Sequence, residues 1–402
     1  MRLAGARRTL AALVLAQFFG ALADSALLIA AIGLLNERAA PAWMTPALRV
    51  CFYVSYVLLG AFAGAVADAF AKSRVIVLTN VLKLAGCALL LAGLHPLLAF
   101  ALIGFGASAH APARYGILPE LLAQEQLVAA NAWMEIATVG AMLGGVALGS
   151  VLVDPAFQMA FIGTPARSAT AGTLLLFACA VAASLAVPPV RATAPHALRD
   201  PARLVGRFVA SCRTLWSDPG AGRSLAATSL FWAVAAVLQF LVLRWGTDVL
   251  GLPLARAALL QGALALGVIG GAVGAARLVP LHKALSVMPL GLGVGALIVL
   301  MPWVTTAPAA ALVLAGIGLL AGLLLVPMNA LLQERGNSLM HAGQSVAVQN
   351  FFENGAAFAV LLCYGLLSST GVSLFASIAA VGVLVMAATM AGMRRTGALV
   401  NG

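Results

Sequence analysis

The sequence has few charged residues: Asp, Glu, Lys and Arg together make up only 9% of the 402 residues. A soluble domain usually carries about 25% charged residues. Apolar residues reach 63%, and the mean hydropathy is +1.05. This composition excludes an ordinary soluble protein and predicts an integral membrane protein.

Motifs for redox, metal and nucleotide chemistry are also missing. The five cysteines form no CxxC pair, so we expect thiols in the protein core without a metal or redox site. Neither a Walker A motif nor a dinucleotide-binding context occurs, and no cofactor is predicted. The H-x4-D motif of acyltransferases is missing because His196 and Asp200 are one residue too close. We therefore expect that the chain is not an enzyme.

Long apolar stretches fill most of the chain. A helix needs about 20 apolar residues to cross the hydrocarbon core of a bilayer. The sequence predicts twelve spans, at residues 9–34, 46–70, 74–94, 96–118, 126–152, 168–189, 223–247, 253–278, 284–303, 306–330, 342–366 and 371–393. The expected fold is all-α and membrane-embedded.

The basic residues are distributed unevenly between the loops on the two sides. With the N-terminus inside, sixteen Lys and Arg lie on the inner side and five on the outer side. Basic loops favour the cytoplasm. We therefore expect both termini in the cytoplasm, and the net charge of +11 reflects orientation and contact with membrane lipids, not nucleic-acid binding.

A cleavable signal peptide ending at Ala23 is the alternative interpretation of the first span. The apolar run continues past Asp24 to Leu35, which is longer than a signal peptide requires, so an uncleaved N-terminus is favoured.

The longest polar stretch lies in the middle of the chain. It predicts a six-helix half at residues 1–190, a basic cytoplasmic linker at 191–222 and a second six-helix half at 223–402. This plan is typical of the major facilitator superfamily, whose halves are parallel repeats with the substrate site between them. Residues 204–209 form either an amphipathic helix on the inner leaflet or part of a solvated linker.

The loop between spans 2 and 3 carries a recognisable motif. Gly64, Asp68, Lys72 and Arg74 resemble the G-x-x-x-D and basic residues of the loop motif of that superfamily. A plain capped turn is the simpler interpretation. Because all four positions fit, we favour a latch that holds helices in one access state.

Five charged residues lie inside the spans: Asp24, Lys83, Arg114, Glu135 and Glu353. A charge at bilayer depth is expensive and usually faces a cavity or a partner. Lys83 falls on a peripheral span, where a structural ion pair and a functional role are equally plausible.

Five sequence blocks, in order, resemble the bacterial lysophospholipid transporters of the major facilitator superfamily. They are Ala16-Gln17-Phe18 with Asp24 and Ala26-Leu27-Leu28, Asn80-Val81-Leu82-Lys83-Leu84, Ala113-Arg114-Tyr115-Gly116-Ile117-Leu118 with Glu120-Leu121, residues 326–336, and Ala347-Val348-Gln349-Asn350 with Glu353-Asn354. The resemblance covers nearly the whole chain.

The resemblance implies import of lysophosphatidylethanolamine, and of lysophosphatidylglycerol as a second cargo, from the outer to the inner leaflet of a bacterial inner membrane. An inner-leaflet acyltransferase on another chain would then add the second acyl chain. The candidate substrate-binding or translocation residues are Asp24, Arg114, Glu135, Gln17, Tyr115, Gln349, Asn350 and Glu353. The candidate gating residues are Gly64, Asp68, Lys72, Arg74, Glu334 and Arg335.

The chain departs from these relatives in its charged residues. Arg114 stands where they carry Lys, and Gln239 where they carry Arg. We expect Glu353 to be held by the amides of Gln349, Asn350 and Asn354. The rival view is that Arg244 reaches inward to form an ion pair with Glu353.

Two other functions compete with lysophospholipid transport. A proton-coupled multidrug or small-solute antiporter would use Asp24 or Glu135 as its proton carrier, if burial raised the pKa of that carboxyl. A membrane acyltransferase is the weaker alternative, because the chain lacks both its motif and a soluble domain.

Overall fold

The computed structural model describes residues 2–41, 44–154, 163–190, 192–198 and 200–400, and every regular element in these ranges is helical. Arg191 and Arg199 of the predicted linker lie outside the described residues. The α-helices are α1 Arg2–Glu37, α2 Met44–Ala69, α3 Lys72–Leu91, α4 Pro96–Gly116, α5 Leu118–Leu121, α6 Gln124–Val153, α7 Pro165–Leu185, α8 Leu204–Ser217, α9 Pro219–Asp248, α10 Leu254–Leu278, α11 Leu290–Leu300, α12 Ala307–Leu339, α13 Ala342–Ser369 and α14 Leu374–Val400.

Within the described part of the chain, twelve segments are long and apolar enough to cross a membrane. They are the α-helices other than α8, with α4 and α5 joined in one span at Pro96–Leu121 and α11 extended by 3-10 turns into one span at Leu281–Trp303. The predicted number of spans and their all-helical character are confirmed.

The same helix pairings occur in both sets of six spans. In the first set, α1 packs on α7, α3 on α7 and α2 on α4. In the second set, α9 packs on α14 and α11 on α14, while glycines of α10 and α12 bring those two helices together. Such recurrence is expected of parallel repeats.

The chain divides into two compact units. The first contains residues 1–122, 137–214 and 336–351, and the second contains 123–136, 215–335 and 352–402. Helices α6, α8, α12 and α13 therefore contribute to both units. The boundaries of the two halves at residues 190 and 223 stay a prediction.

The segment after α7 contains a helix, α8, and this agrees with the helical alternative for residues 204–209. The expectation of core thiols holds for Cys87, which is buried. It is wrong for Cys179 and Cys363, because both lie on exposed faces of their spans.

Glycines allow α10 and α12 to pack backbone against backbone. A Cβ atom on Gly267 or Gly271 would overlap a carbonyl oxygen of α12, at Ala315 and Leu319 respectively. Gly318 on α12 faces the Leu264 carbonyl of α10 in the same way. Helices in lipid associate through such close contacts of small residues.

Gly271→Ala is expected to lower the free energy of unfolding by about 1–3 kcal/mol, because overpacking forces the two backbones apart. The melting temperature in detergent measures the effect. Gly270→Ala is the matched control, since its Cβ would lie 3.5 Å from Leu319 Cδ1, an ordinary contact. Equal melting temperatures for the two variants would show that α10 and α12 do not pack this closely.

Candidate functional site

An ion pair between two charged residues of the spans joins α1 to α3. Lys83 Nζ lies 2.6 Å from Asp24 Oδ2, with side-chain exposures of 5% and 24%. A buried charge is tolerated when a partner compensates it. The structure therefore shows the ion-pair alternative for Lys83, and the partner of Asp24 is Lys83.

Polar contacts continue from this pair into the neighbouring helices. Asn80, one turn before Lys83 on α3, donates a hydrogen bond of 2.8 Å to Ser184 Oγ of α7. Thr79 Oγ1 lies 2.9 Å from His110 Nδ1 of α4. Buried polar groups need such partners, and these bonds hold α3 in register with both helices.

Three buried side-chain atoms on α1, α3 and α4 have no hydrogen-bond partner among the described residues, and one of them is Asn80 Oδ1. The other two belong to charged groups. Asp24 Oδ1 and Arg114 Nε form no hydrogen bond with any described residue. The guanidinium carbon of Arg114 lies 4.4 Å from the centroid of the Tyr115 ring, which is a cation–π contact. An unsatisfied buried polar group costs about 1–3 kcal/mol. The carboxylate oxygen Oδ1 of Asp24 and the guanidinium N–H of Arg114 are therefore available as an acceptor and a donor to a ligand.

Gln17 joins α1 to α6. Its side-chain amide donates a hydrogen bond of 2.6 Å to Thr138 Oγ1. Gln17 and Asp24 are seven residues apart and share a face of α1. The amide therefore positions the face of α1 that carries Asp24.

A second polar group joins α6 to α12. Asn131 and Gln333 exchange two hydrogen bonds, of 2.9 and 2.8 Å, and both side chains are 2% exposed. Glu135, one turn after Asn131 on α6, is buried at 3% exposure. The reciprocal amide pair fixes the relative position of the two helices at this level.

The candidate residues of α13 lie on its buried side. Gln349 and Glu353 are buried, and Asn350 is half-buried. Arg244 of α9 is about half exposed and lies 3.7 Å from Asp248, one turn nearer the helix end. This geometry places Arg244 in a different ion pair. The amide environment of Glu353 stays a prediction.

The predicted gating motif forms a buried cluster at the start of α13. Asp68 accepts hydrogen bonds from the backbone N–H groups of Gly343, at 2.9 Å, and Gln344, at 2.8 Å. A carboxylate at a helix N-terminus satisfies unpaired donors and favours the positive end of the dipole. Asp68 on α2 is therefore the cap of a helix that lies 275 residues further along the chain.

Lys72 lies at the centre of this cluster and is fully buried. Its ammonium is 3.2 Å from Asp68 Oδ1 and 2.6 Å from Glu120 Oε1. The Thr193 hydroxyl adds contacts to Asp68 at 3.2 Å and to Lys72 at 3.3 Å. One ammonium thus lies between two carboxylates, which compensates its burial.

Small residues allow the helices to approach each other here. A Cβ atom added at Gly64 would lie only 2.9 Å from the Cβ of Ala347 on α13, which is closer than van der Waals contact. A Cβ on Gly343 would lie 2.5 Å from Asp68 Oδ1. The glycine of the motif is therefore needed for the capping contact.

The remaining gating candidates lie outside this cluster. Arg74 is exposed on α3. Glu334 accepts a hydrogen bond of 3.0 Å from Gln124, and Arg335 lies 3.3 Å from Asp218, the cap of α9. The structure thus gathers Gly64, Asp68 and Lys72 and leaves the other three elsewhere.

Sequence patterns alone do not identify every residue of the site. Glu120 lies in one of the blocks that resemble the family, but the loop motif between spans 2 and 3 does not include it. Gly343 and Gln344 act through their backbone N–H groups, and no side-chain pattern identifies such donors. Lys83 is recognisable in the sequence as a charge within a span, but the sequence does not identify its partner.

Comparison with known proteins identifies the class. Residues 13–361 match the family model described as Major Facilitator Superfamily, and the chain belongs to that superfamily. It is a multi-pass membrane transporter, and the prediction that it is not an enzyme is confirmed by this membership.

Named relatives narrow the comparison. The chain is 41% identical over 365 residues to proteins named "Lysophospholipid transporter LplT" from Yersinia pestis (strain Pestoides F) and Yersinia pseudotuberculosis serotype O:3 (strain YPIII). Each match covers 90% of this chain and 88% of the relative.

Solved structures share the fold. The transporter FucP in the outward conformation is 14% identical with a TM-score of 0.75, covering 96% of this chain and 98% of that one. The human organic anion transporter MFSD10 is 16% identical with a TM-score of 0.73, covering 96% and 99%.

Proposed function

We propose that the chain is a lysophospholipid transporter whose main cargo is lysophosphatidylethanolamine, with lysophosphatidylglycerol as a second cargo. The lipid moves from the outer to the inner leaflet of the bacterial inner membrane, and an acyltransferase on another chain restores the second acyl chain. The substrate class is supported by relatives of 41% identity that carry this name.

The unpaired polar atoms of the site support a zwitterionic head group. Asp24 Oδ1 is a buried acceptor without a donor, and Arg114 Nε is a buried donor without an acceptor. An ethanolamine ammonium supplies the first partner, and a phosphate supplies the second. Charge-assisted hydrogen bonds of this kind are the strong ones. This pair of open positions is the observation on which the choice of cargo rests.

Lys83 fits this proposal as an internal counter-ion. In the absence of cargo it neutralises Asp24 at 2.6 Å. A substrate ammonium at Asp24 Oδ1 shares the same carboxylate, so binding does not require the ion pair to break. The site stays compensated with and without cargo.

The proposal includes an orientation in which both termini lie in the cytoplasm. This orientation is supported by the sixteen basic residues assigned to the inner loops and the five assigned to the outer loops. Reporter fusions after Gly402 are expected to be active only in the cytoplasm, and a periplasmic signal there would refute this orientation.

Uptake by spheroplasts tests the function. Cells in which this chain is the only lysolipid transporter are expected to take up labelled lysophosphatidylethanolamine and convert it to diacyl lipid. Cells without the chain, and cells without the acyltransferase, are the two controls. If labelled lipid does not enter while a proton gradient drives drug efflux, the chain is an antiporter and the proposal is wrong.

A further inference from the structure

His110 of α4 is a buried imidazole to which the proposed site gives no role. The residue is 4% exposed. Its Nδ1 lies 2.9 Å from Thr79 Oγ1 of α3, and its Nε2 forms no hydrogen bond with any described residue. A neutral imidazole has one donor nitrogen and one acceptor nitrogen. What Nε2 can bind therefore depends on which of the two nitrogens carries the proton.

The contacts of Thr79 decide where that proton lies. Thr79 Oγ1 is 2.8 Å from the carbonyl oxygen of Val75 and 3.0 Å from that of Ile76. A hydroxyl has a single hydrogen, and two oxygens this close repel each other unless that hydrogen lies between them. Thr79 therefore donates to its own helix and accepts from His110. The proton of His110 lies on Nδ1, and Nε2 is an acceptor.

The charges around His110 select the kind of donor that Nε2 accepts. The positive charges of Lys83 and Arg114 both act on the imidazole ring. An ammonium at Nε2 would be repelled by both of them, whereas a neutral hydroxyl would not. The ammonium of the cargo is drawn instead to the carboxylate of Asp24. Nε2 therefore suits a neutral O–H donor.

The position of His110 places this acceptor next to the proposed phosphate contact. His110 precedes Arg114 by four residues, so the two side chains are neighbours on one face of α4. Arg114 Nε is the buried donor proposed for the phosphate. In a 1-acyl lysophospholipid, the phosphate and the free hydroxyl are attached to adjacent carbons of the glycerol. A phosphate bound at Arg114 thus brings the hydroxyl close to the neighbouring imidazole.

We propose that His110 Nε2 accepts a hydrogen bond from the free glycerol hydroxyl of the cargo and thereby selects lysolipids. The inference rests on the proposed function and deepens it. Lysophosphatidylethanolamine and lysophosphatidylglycerol share this hydroxyl, and a diacyl lipid has an ester in its place. A lipid without the hydroxyl leaves a buried acceptor unpaired, and sites built around such a hydrogen bond reject analogues that lack it.

Transport of a matched pair of lipids tests the hydroxyl contact. The pair consists of 1-acyl lysophosphatidylethanolamine and the same lipid with hydrogen in place of the glycerol hydroxyl, both radiolabelled in the acyl chain. The full chain is reconstituted in liposomes, and the label that albumin can no longer extract is measured, because the second lipid cannot be acylated. We expect the parent chain to move the lipid with the hydroxyl roughly tenfold faster.

Replacements of His110 separate the hydroxyl contact from the bond to Thr79. In His110→Asn the side-chain amide takes the place of Nδ1 and keeps the bond to Thr79, but no group replaces Nε2. This variant is expected to move both lipids at nearly the same rate. His110→Gln places an amide oxygen near the position of Nε2 and is expected to recover part of the preference. His282→Asn is the matched control, since His282 is exposed, and it is expected to keep the full preference.

The ratio of the two rates distinguishes recognition from a structural role, because a loss of packing slows both lipids alike. Equal rates in the parent chain would overturn the role of His110 while leaving transport of lysophosphatidylethanolamine established. A preference that persists unchanged in His110→Asn would overturn it as well. A parent chain that moves neither lipid would contradict the proposed function itself, and the inference with it.

Discussion

Asp24→Asn is expected to reduce uptake of lysophosphatidylethanolamine roughly ten- to hundredfold, the effect of losing one hydrogen bond to a charged group. Asp24 Oδ1 is the buried acceptor proposed for the ammonium, and Oδ2 holds Lys83 at 2.6 Å. The amide keeps the shape of the side chain but not its charge. Uptake by spheroplasts, normalised to the amount of protein in the membrane, measures the effect.

The companion variants separate binding from stability. Loss of one partner of a buried ion pair costs about 3–5 kcal/mol, so Asp24→Asn also destabilises the fold by leaving Lys83 uncompensated. Adding Lys83→Met to Asp24→Asn removes both charges and is expected to restore the melting temperature without restoring uptake.

Arg114→Ala is expected to abolish uptake through loss of the phosphate contact.

The outcome of the double variant decides the role of Asp24. Normal uptake with both charges removed would show that Asp24 serves only as the partner of Lys83. Asp248→Asn is the matched control, since this carboxylate is exposed at the end of α9. If Asp24→Asn alone transports at the normal rate, the head-group role is wrong.

The number of spans was predictable because hydrophobic length is a local property of the sequence. Each span requires about 20 apolar residues, whatever its neighbours are. The helical character of residues 204–217 was harder to predict, because a short amphipathic stretch also suits a solvated linker. Contacts of Phe208 with Gly60 and Phe351 favour the helix, and they depend on distant parts of the chain.

Partners of the charged residues were less predictable than the residues themselves. Helical spacing shows which side chains share a face, as for Gln17 and Asp24. It does not show which face of another helix they meet. The pairing of Asp24 with Lys83 joins residues 59 positions apart. The acceptor role of Asp68 toward Gly343 joins residues 275 apart, and its donor is a backbone group that is present in every residue type except proline.

Asp68→Ala is expected to accelerate amide exchange at the start of α13 by about tenfold or more and to lower uptake by a similar factor. The substitution removes the acceptor of the Gly343 and Gln344 N–H groups, and a lost cap costs about 0.5–2 kcal/mol. It also leaves Lys72 buried with Glu120 as its remaining carboxylate. Hydrogen exchange of residues 342–347 and spheroplast uptake are the two measurements.

Asp68→Asn distinguishes the cap from the ion pair. Asparagine remains a good helix cap but carries no charge for Lys72, so its exchange rate is expected to lie between those of the parent and of Asp68→Ala. Asp218→Ala is the comparison, because Asp218 caps α9 and its loss is expected to accelerate exchange only there.

If Asp68→Ala accelerates exchange while uptake stays normal, the cluster is a plain capped helix end. If exchange at residues 342–347 is unchanged, the contact between Asp68 and α13 does not form in the membrane. A joint loss of protection and uptake is the result that a latch requires, because only a latch makes transport depend on the cap.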